Sequence, residues 1–170
     1  YILSGAIDTD KKHSAMNMIQ TRGKRVIAEF TLTREVARDL LRIDTAQLYH
    51  YRQIGAVGAL QSGSAYSGAH SANGIAAMFI ATGQDAANVA ESHGGITYGQ
   101  LLDNGDYYWS VTLPALICGT HGGGTGLPTQ RECLEMLGCF GTGKADPSSM
   151  RAALWMACEL AGTDGRPAKV

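Results

Sequence analysis

Hydrophobic and polar residues alternate with a period of two along residues 24–33. This alternation is typical of a β-strand with one buried face. The residues that share the predicted buried face are Val26, Ala28, Phe30 and Leu32. Residues 106–119 are rich in aromatic and apolar side chains and predict a strand or a pair of strand segments, and residues 1–7 predict a short strand.

Helical spacing of apolar residues appears in several other segments. It predicts helices over 13–23, 33–42, 127–137 and 148–162. In the second of these, Thr33 is a suitable N-cap, and Val36, Leu40 and Leu41 are expected to point inward. Residues 55–68 are rich in glycine, serine and other small residues, which indicates either a functional loop or a tightly packed irregular segment.

The most apolar predicted helix covers residues 69–91. Its middle, IAAMFIA at 75–81, is apolar on every side, which favours a helix buried at the centre of the domain. Polar residues nevertheless share a sector of roughly 120°, and they are His70, Asn73, Gln84 and Asp85. His70 and Asp85 would lie about 22 Å apart along an unbroken helix axis, so an elongated ligand could contact both. A bend or an end at Gly74 or Gly83 would change this distance.

Asp85 is expected to be buried at the end of this helix. A buried carboxylate requires a basic partner or takes up a proton near neutral pH. The pair Lys11 and Lys12 beside Asp10 could bind an anion or polarise a carbonyl, or could equally form a solvated turn.

Composition predicts one soluble globular domain, to which we assign residues 1–162, with residues 163–170 as a flexible tail. The chain has 170 residues, 45% hydrophobic content and a net charge of −1, which offers no electrostatic footprint for nucleic acid or an anionic membrane. The longest apolar run, 75–81, is too short to span a bilayer. The histidines and cysteines lack metal-ligand spacing, so we expect no metal site. Cys118, Cys133, Cys139 and Cys158 are expected to be buried thiols of a cytoplasmic protein.

The segment GTHGGGTGLPTQ at 119–130 has the glycine content of a phosphate-binding loop. It lacks the Lys-Ser or Lys-Thr pair of a P-loop and the spacing of the dinucleotide fingerprint. The backbone of such a loop can approach a ligand closely, and the helix that follows offers free N–H groups. The residues alone leave two interpretations open, an anion-binding loop and a tight turn from strand to helix.

Three strings, taken together, resemble the hydroxymethylglutaryl-CoA reductase family. They are DTDKK, GAHSANGIAAMFIATGQDAANVAES and SVTLPALICGTHGGGTGLPTQRECLEMLGC, and the resemblance covers residues 4–144. It implies the part of the family's large domain that follows an inserted small domain. The expected fold is α+β, a central buried helix surrounded by helices and a small mixed sheet. The expected assembly is a homodimer with the active site at the subunit interface.

The resemblance also implies roles for individual residues. Lys11 would stabilise the oxyanion during reduction of a thioester, and Asp85 would support Lys11. The residues implied to hold the acyl group are Asp10, Lys12 and Asn73, and His70 is implied to contact coenzyme A. One side of the NADPH site would be formed by His121, Gly122, Gly123, Gly124 and Thr125.

Other parts of the family pattern are absent from these 170 residues. The D-A-M-G-M-N nicotinamide motif, the proton-donating glutamate segment and a histidine beyond His121 do not occur. The leading hypothesis is therefore a diverged enzyme that binds an acyl-CoA or a similar elongated anionic molecule. It would perform non-redox cyclisation, isomerisation or lyase chemistry and would require no cofactor. The alternatives are a genuine NADPH-dependent reductase that makes mevalonate, seen incompletely, and a non-catalytic binding module.

Overall fold

A computed structural model of the protein describes residues 13–64 and 71–141. The predicted strand at 1–7, the predicted helix at 148–162 and the tail at 163–170 lie outside the described residues.

Short helices and strands alternate along the described chain. The first half contains α1 (Met16–Ile19), β1 (Lys24–Leu32), α2 (Arg34–Val36) continued by a π-helical turn (Ala37–Leu41), and α3 (Thr45–Gln61). The second half contains α4 (Ser71–Ala81), a 3-10 turn (Ala86–Asn88) leading into α5 (Val89–Ser92), β2 (Ile96–Leu101), β3 (Tyr107–Leu116), a 3-10 turn (Gly123–Gly126) and α6 (Pro128–Met136).

The strands of the described chain form one sheet in the order β1-β3-β2. β3 pairs antiparallel with both neighbours, so that Ala28 lies opposite Val111, and Thr97 lies on the other side of Val111. The combination of helices with this small sheet confirms the predicted α+β class. The pairing among the described residues is antiparallel, whereas a mixed sheet was expected.

The core lies between α4 and one face of the sheet. Ile75 and Phe79 of α4 pack against Ala28, Val111 and Leu113 of the strands. Ile27, on the opposite face of β1, is 61% exposed. The alternation in β1 therefore predicted its buried face in part: Ala28 is buried and Val26 and Leu32 are half-buried, whereas Phe30 is 41% exposed.

The prediction that α4 is buried on every side is wrong for the described chain. Ile80 is 67% exposed, and Ala77 and Ala81 are also exposed. Packing against the sheet covers only the side of α4 that carries Ile75 and Phe79, since a helix presents a single stripe to a flat surface.

The inward face predicted for α2 is also wrong. Thr33 does cap the helix, because its side chain accepts a hydrogen bond from the N–H of Val36. Val36, Leu40 and Leu41 are exposed, and Ala37 is the residue that is buried. The π-helical turn that begins at Ala37 changes the helical phase, so the 3.6-residue pattern no longer describes which side faces the core.

Two further element boundaries differ from the prediction. The glycine-rich segment 55–68 is helical from Gly55 to Gln61, within α3, so the prediction of a loop or an irregular segment is wrong over these residues, and only 62–64 of its described part form a turn. A Cβ atom at Gly55 or Gly58 would contact nothing within 4 Å, so these glycines do not serve close packing within the chain. The helix predicted at 13–23 shortens to α1.

The cysteines within the described residues form no disulfide with one another. Cys139 is buried, while Cys118 and Cys133 are half-buried, and Cys158 lies outside the described residues. Burial raises the pKa of the Cys118 and Cys139 thiols. This agrees with the prediction of unpaired thiols, although the thiols are less deeply buried than expected.

Candidate functional site

The end of α4 forms a Schellman motif. The N–H of Gln84 donates to the carbonyl of Phe79 over 2.8 Å, and the N–H of Gly83 donates to Ile80 over 3.4 Å. Gly83 has a φ of +69°, a left-handed conformation that favours glycine. The predicted helix at 69–91 is therefore divided at Gly83, and the distance calculated along an unbroken axis does not apply.

Asp85 begins the next helical segment. Its carboxylate accepts a hydrogen bond from the N–H of Ala87 over 3.0 Å, and its carbonyl accepts from the N–H of Asn88. The residue is exposed, so the prediction of a buried Asp85 is wrong. The reason is the break at Gly83, which turns the chain out of the core before Asp85 is reached.

The segment 119–127 connects β3 to α6 by a glycine loop. Gly122 and Gly123 have φ values of +87° and +56°, which side chains with a Cβ rarely adopt. Thr125 is buried beneath the loop, and its hydroxyl donates to the carbonyl of Gly122 over 2.7 Å. Pro128 at the first position of α6 starts the following helix as predicted.

The turn after α4 and the glycine loop contact each other directly. A Cβ atom at Gly83 would overlap the carbonyl of Gly124, and one at Gly124 would lie 2.9 Å from the carbonyl oxygen of Gly83. The Gln84 side chain accepts a hydrogen bond from the N–H of Gly119 over 2.7 Å and donates to the carbonyl of Gly119 over 2.8 Å. The glycines thus permit a backbone contact that no other residue type would allow.

A cleft of about 340 Å³ opens between the turn and the loop. It is lined by Phe79, Ile80, Gly83, Gln84, Asp85, Gly123, Gly124, Leu127 and Gln130. Its walls combine apolar side chains, exposed glycine backbone and one carboxylate. Such a surface can hold a flat apolar ring against a polar backbone and place a negative charge at one edge.

The structure brings together some of the predicted site residues. Asp85 and the glycine-loop residues Gly123 and Gly124 line the same cleft. Asn73 is exposed on α4, eight residues before the end of the helix and therefore about 12 Å from it along the axis. His121 is exposed at the start of the loop. The remaining predicted residues, Asp10, Lys11, Lys12 and His70, lie outside the described residues, so the Lys11–Asp85 pair stays a prediction.

An ion pair beside this site was not predicted from the sequence. Two nitrogens of Arg22 donate to Glu91 over 2.7 and 3.3 Å, and Arg22 also donates to Asn88. The side chain of Glu91 is fully buried, while that of Arg22 is 48% exposed. The Arg22–Glu91 ion pair joins α5 to the turn before β1. It thereby also holds the 3-10 turn that Asp85 caps and that leads into α5. No spacing rule connects residues 69 positions apart, so the sequence offered no signal for it.

Neither a metal site nor a membrane span is found in the part of the chain that the structure describes. Within residues 13–64 and 71–141, histidine, cysteine, aspartate and glutamate form no group of three or more that could hold a metal ion. Among the helices of the same residues, none is long and apolar enough to cross a membrane.

The fold and the site define an α+β protein in which the glycine loop and the acidic turn, formed by Gly83, Gln84 and Asp85, line the same cleft. The family model for hydroxymethylglutaryl-coenzyme A reductase matches residues 1–164. The chain therefore belongs to the hydroxymethylglutaryl-coenzyme A reductase family, as its sequence motifs predicted.

Individual proteins that are similar to this chain are named as reductases of the same family. The chain is 42% identical over 153 residues to a 3-hydroxy-3-methylglutaryl-coenzyme A reductase from Pyrococcus horikoshii, covering 88% of this chain and 36% of the relative. It is 48% identical over 149 residues to the corresponding protein from Aeropyrum pernix, covering 86% and 35%. It is 40% identical over 154 residues to 3-hydroxy-3-methylglutaryl-coenzyme A reductase 2 from Hevea brasiliensis, covering 86% and 71%.

The chain spans about a third of the length of the archaeal relatives that it matches. The names of these relatives favour the reductase alternative over the leading hypothesis of a non-redox enzyme.

Proposed function

We propose that this chain forms part of an NADPH-dependent hydroxymethylglutaryl-CoA reductase, which reduces an acyl thioester to mevalonate. The names of the relatives support the reaction. The observation that carries the proposal is the contact between the Gly83–Gln84–Asp85 turn and the glycine loop. It places a carboxylate and a candidate cofactor loop at the same cleft. We treat residues 1–162 as a single domain and residues 163–170 as its tail.

The glycine loop fits a bound dinucleotide. Gly122, Gly123 and Gly126 have no atom within 4 Å of the position that a Cβ would occupy, so the outer side of the loop is open. A phosphate or a nicotinamide can therefore approach the backbone closely. NADPH bound there, along residues from His121 to Thr125, would supply one hydride in each of the two reduction steps that convert the thioester to the alcohol, with the coenzyme A thiol as the leaving group.

The acidic turn fits the support of a cationic group. In this proposal Asp85 holds the Lys11 ammonium at the reacting carbonyl, and that ammonium stabilises the oxyanion as the thioester is reduced. The N–H of Ala87 already orients the Asp85 carboxylate, which reduces the reorganisation needed at that position. Asp10, Lys12 and Asn73 would hold the acyl group, and His70 would contact coenzyme A.

A homodimer is part of the same proposal. Helix α3 presents Tyr51, Ile54 and Val57 to solvent over successive turns. Gly55 follows Ile54 and Gly58 follows Val57, and both glycines leave open space for another backbone. Apolar surface of this kind indicates a contact with another chain. The family resemblance favours a second copy, since the active site would then lie at the interface.

The test uses the natural polypeptide that contains these 170 residues. NADPH oxidation is followed by absorbance in the presence and absence of hydroxymethylglutaryl-CoA. Asp85→Asn should lower kcat by about 100-fold, as expected when a group that stabilises transition-state charge is impaired. Asp103→Asn, which changes an exposed aspartate in the β2–β3 turn, is the matched control and should retain wild-type activity.

Two outcomes would contradict the proposal. One is consumption of the acyl-CoA without NADPH oxidation, which would restore the non-redox hypothesis. The other is equal activity of the Asp85→Asn and Asp103→Asn variants, which would remove Asp85 from the mechanism.

A further inference from the structure

Gln84 connects the two halves of the cleft through its side-chain amide. The amide oxygen accepts from the N–H of Gly119 over 2.7 Å, and the amide nitrogen donates to the carbonyl of Gly119 over 2.8 Å. The amide nitrogen also donates to the carbonyl of Thr82 over 3.1 Å. One side chain therefore satisfies both polar backbone groups of Gly119, which lies 35 positions away in the sequence.

Gly119 is the first residue of the glycine loop and lies three residues after the end of β3. The residue itself is exposed, and the loop beyond it contains Gly122 and Gly123 in left-handed conformations. A glycine-rich backbone loses more conformational freedom on ordering than other segments. Two well-oriented hydrogen bonds at its first residue limit that freedom at the position where the loop begins.

We propose that Gln84 is a positioning residue that holds the glycine loop at a fixed distance from Asp85. This inference rests on the proposed reductase function. Because Gln84 and Asp85 are adjacent in the chain, anchoring Gly119 through Gln84 also sets the distance between the loop and the Asp85 carboxylate. The bound NADPH and the thioester would then meet in one geometry. Gln84 acts through Gly119 and is not assigned a contact with either ligand.

The first test replaces the amide while keeping the length of the side chain. Gln84→Met removes both hydrogen bonds to Gly119, and the loop should then sample conformations that bind NADPH poorly. The KM for NADPH should rise by roughly tenfold, as expected for the loss of two ordinary hydrogen bonds, while the KM for hydroxymethylglutaryl-CoA should change less than about twofold. Gln100→Met changes an exposed glutamine of β2 and is the matched control.

The second test makes the hydrogen bonds between residue 84 and Gly119 depend on pH. In Gln84→Glu the ionised carboxylate can still accept from the N–H of Gly119, but it cannot donate to the carbonyls of Gly119 and Thr82. These carbonyl oxygens and the neighbouring Asp85 carboxylate oppose its ionisation and raise its pKa. Protonation restores the missing donor, so the ratio of variant to wild-type KM for NADPH should fall as the pH is lowered. The Gln84→Met ratio should stay constant over the same range.

Amide hydrogen exchange tests the anchor without any ligand. The Gly119 amide should exchange faster in Gln84→Met than in wild type, while the Val111 amide in the centre of β3 should keep its protection. A loss of protection at both positions would mean that the substitution unfolds the domain. In that case the pH series of Gln84→Glu tests the inference. If Gln84 only stabilised the fold, the KM for NADPH and the KM for hydroxymethylglutaryl-CoA would change equally.

The outcomes separate the inference from the function on which it rests. The positioning role of Gln84 would be contradicted if the Gly119 amide exchanged at the same rate in Gln84→Met and wild type. It would also be contradicted if the ratio of Gln84→Glu to wild-type KM for NADPH did not change with pH. A wild-type protein that does not oxidise NADPH would overturn the proposed function and the cofactor part of the inference, even where exchange at Gly119 responds as expected.

Discussion

Gly83, Gln84 and Asp85 are consecutive residues that use different chemical properties at one site. Gly83 contributes a left-handed backbone that ends α4 and touches Gly124. Gln84 contributes an amide that bonds Gly119, and Asp85 contributes a carboxylate that caps the next helix. The backbone, the amide and the carboxylate are each needed at that position, so each substitution should have a distinct effect.

The stability of Asp85 variants should reflect its role as a cap. Asn is as good an N-cap as Asp, so Asp85→Asn should lower the free energy of unfolding by less than about 0.5 kcal/mol, whereas Asp85→Ala should cost about 1 kcal/mol. Urea unfolding of both variants measures the difference. A loss of about 3 kcal/mol or more in Asp85→Asn would instead show that the proposed Lys11–Asp85 pair is buried rather than exposed.

The pKa of His13 should lie below its ordinary value of 6.5. Burial is the larger cause, and His93, stacked on His13 with ring centroids 4.9 Å apart, is the second. A lowered pKa in the folded state means that the unfolded state binds more protons, so this contribution to stability is lost as the pH falls below 6.5. NMR titration should show a partial upward shift of the His13 pKa in His93→Gln. An unchanged pKa would contradict the assignment to His93.

At the scale of elements, α3, α4 and α6 end in the same way. Gly63, Gly83 and Gly138 have φ values of +70°, +69° and +67°, and each lies at the equivalent position of a Schellman motif. Only the surroundings differ among the three. Gly83 faces the carbonyl of Gly124, whereas a Cβ at Gly63 or Gly138 would meet nothing within 4 Å. The same local motif therefore serves only as a helix end in α3 and α6, and also as a contact with the glycine loop in α4.

This difference predicts unequal effects of one substitution. Gly138→Ala should cost about 1–2 kcal/mol, which is the strain of a left-handed residue with a Cβ. Gly83→Ala should cost about 1–3 kcal/mol more, because its Cβ overlaps Gly124 as well. Thermal or urea unfolding of the two variants gives the comparison. Equal losses would mean that the turn and the loop can separate at little cost.

In two Arg–carboxylate pairs of the described chain, both carboxylate oxygens accept from the arginine, one over 2.7 Å and the other over 3.3 Å, and these pairs also predict unequal effects. Arg22 bonds the fully buried Glu91, whereas Arg38 bonds the exposed Asp39. Arg22→Met should lower the free energy of unfolding by about 2–3 kcal/mol, since it weakens the pairing of a buried carboxylate. Arg38→Met should leave the free energy of unfolding close to the wild-type value, because both members of an exposed pair remain solvated. Urea unfolding distinguishes them, and a small loss in Arg22→Met would show that the other contacts of Glu91 are sufficient.

At the scale of the whole molecule, the described chain covers its apolar residues incompletely. Ile80 on α4 and the Tyr51, Ile54 and Val57 side chains on α3 are exposed. The helix predicted to lie at the centre of the domain is covered on one side only by the described residues. This pattern agrees with a domain that is completed by further contacts, of which the homodimer is our proposal.

The dimer should depend on α3 more than on the open face of the sheet. Val57→Lys places a charge in the proposed contact and should raise the dimer dissociation constant by more than about tenfold. Ile27→Lys introduces the same charge at an equally exposed site on β1 and serves as the matched control. Light scattering across a concentration series measures both. A monomeric wild-type protein, or equal weakening by both variants, would contradict the role of α3.

The sequence predicted the local features of the site well. The strand β1, the helix α6, the Thr33 cap and the family were predicted correctly, because each depends on a short run of residues or on strings quoted from the chain. The exposure of Asp85 and of Val36 was predicted wrongly. For Asp85 the Schellman turn at Gly83 altered which way the following residues face, and the π-helical turn at Ala37 did the same for Leu40 and Leu41, although it does not account for Val36, which precedes it.

What the sequence alone determined is a few local elements, among them β1 and α6, and the chemistry of the glycine loop. The spacing of hydrophobic residues, the helix caps and the glycines each act over a few neighbouring residues. The alternation in β1 and the glycine content of the loop can therefore be recognised in the sequence. The tertiary structure alone decided that Gln84 bonds Gly119, that Gly83 meets Gly124 and that Arg22 pairs with Glu91. These contacts join residues 35 to 69 positions apart, and their formation depends on how α4, α5 and β3 pack, which no local pattern encodes.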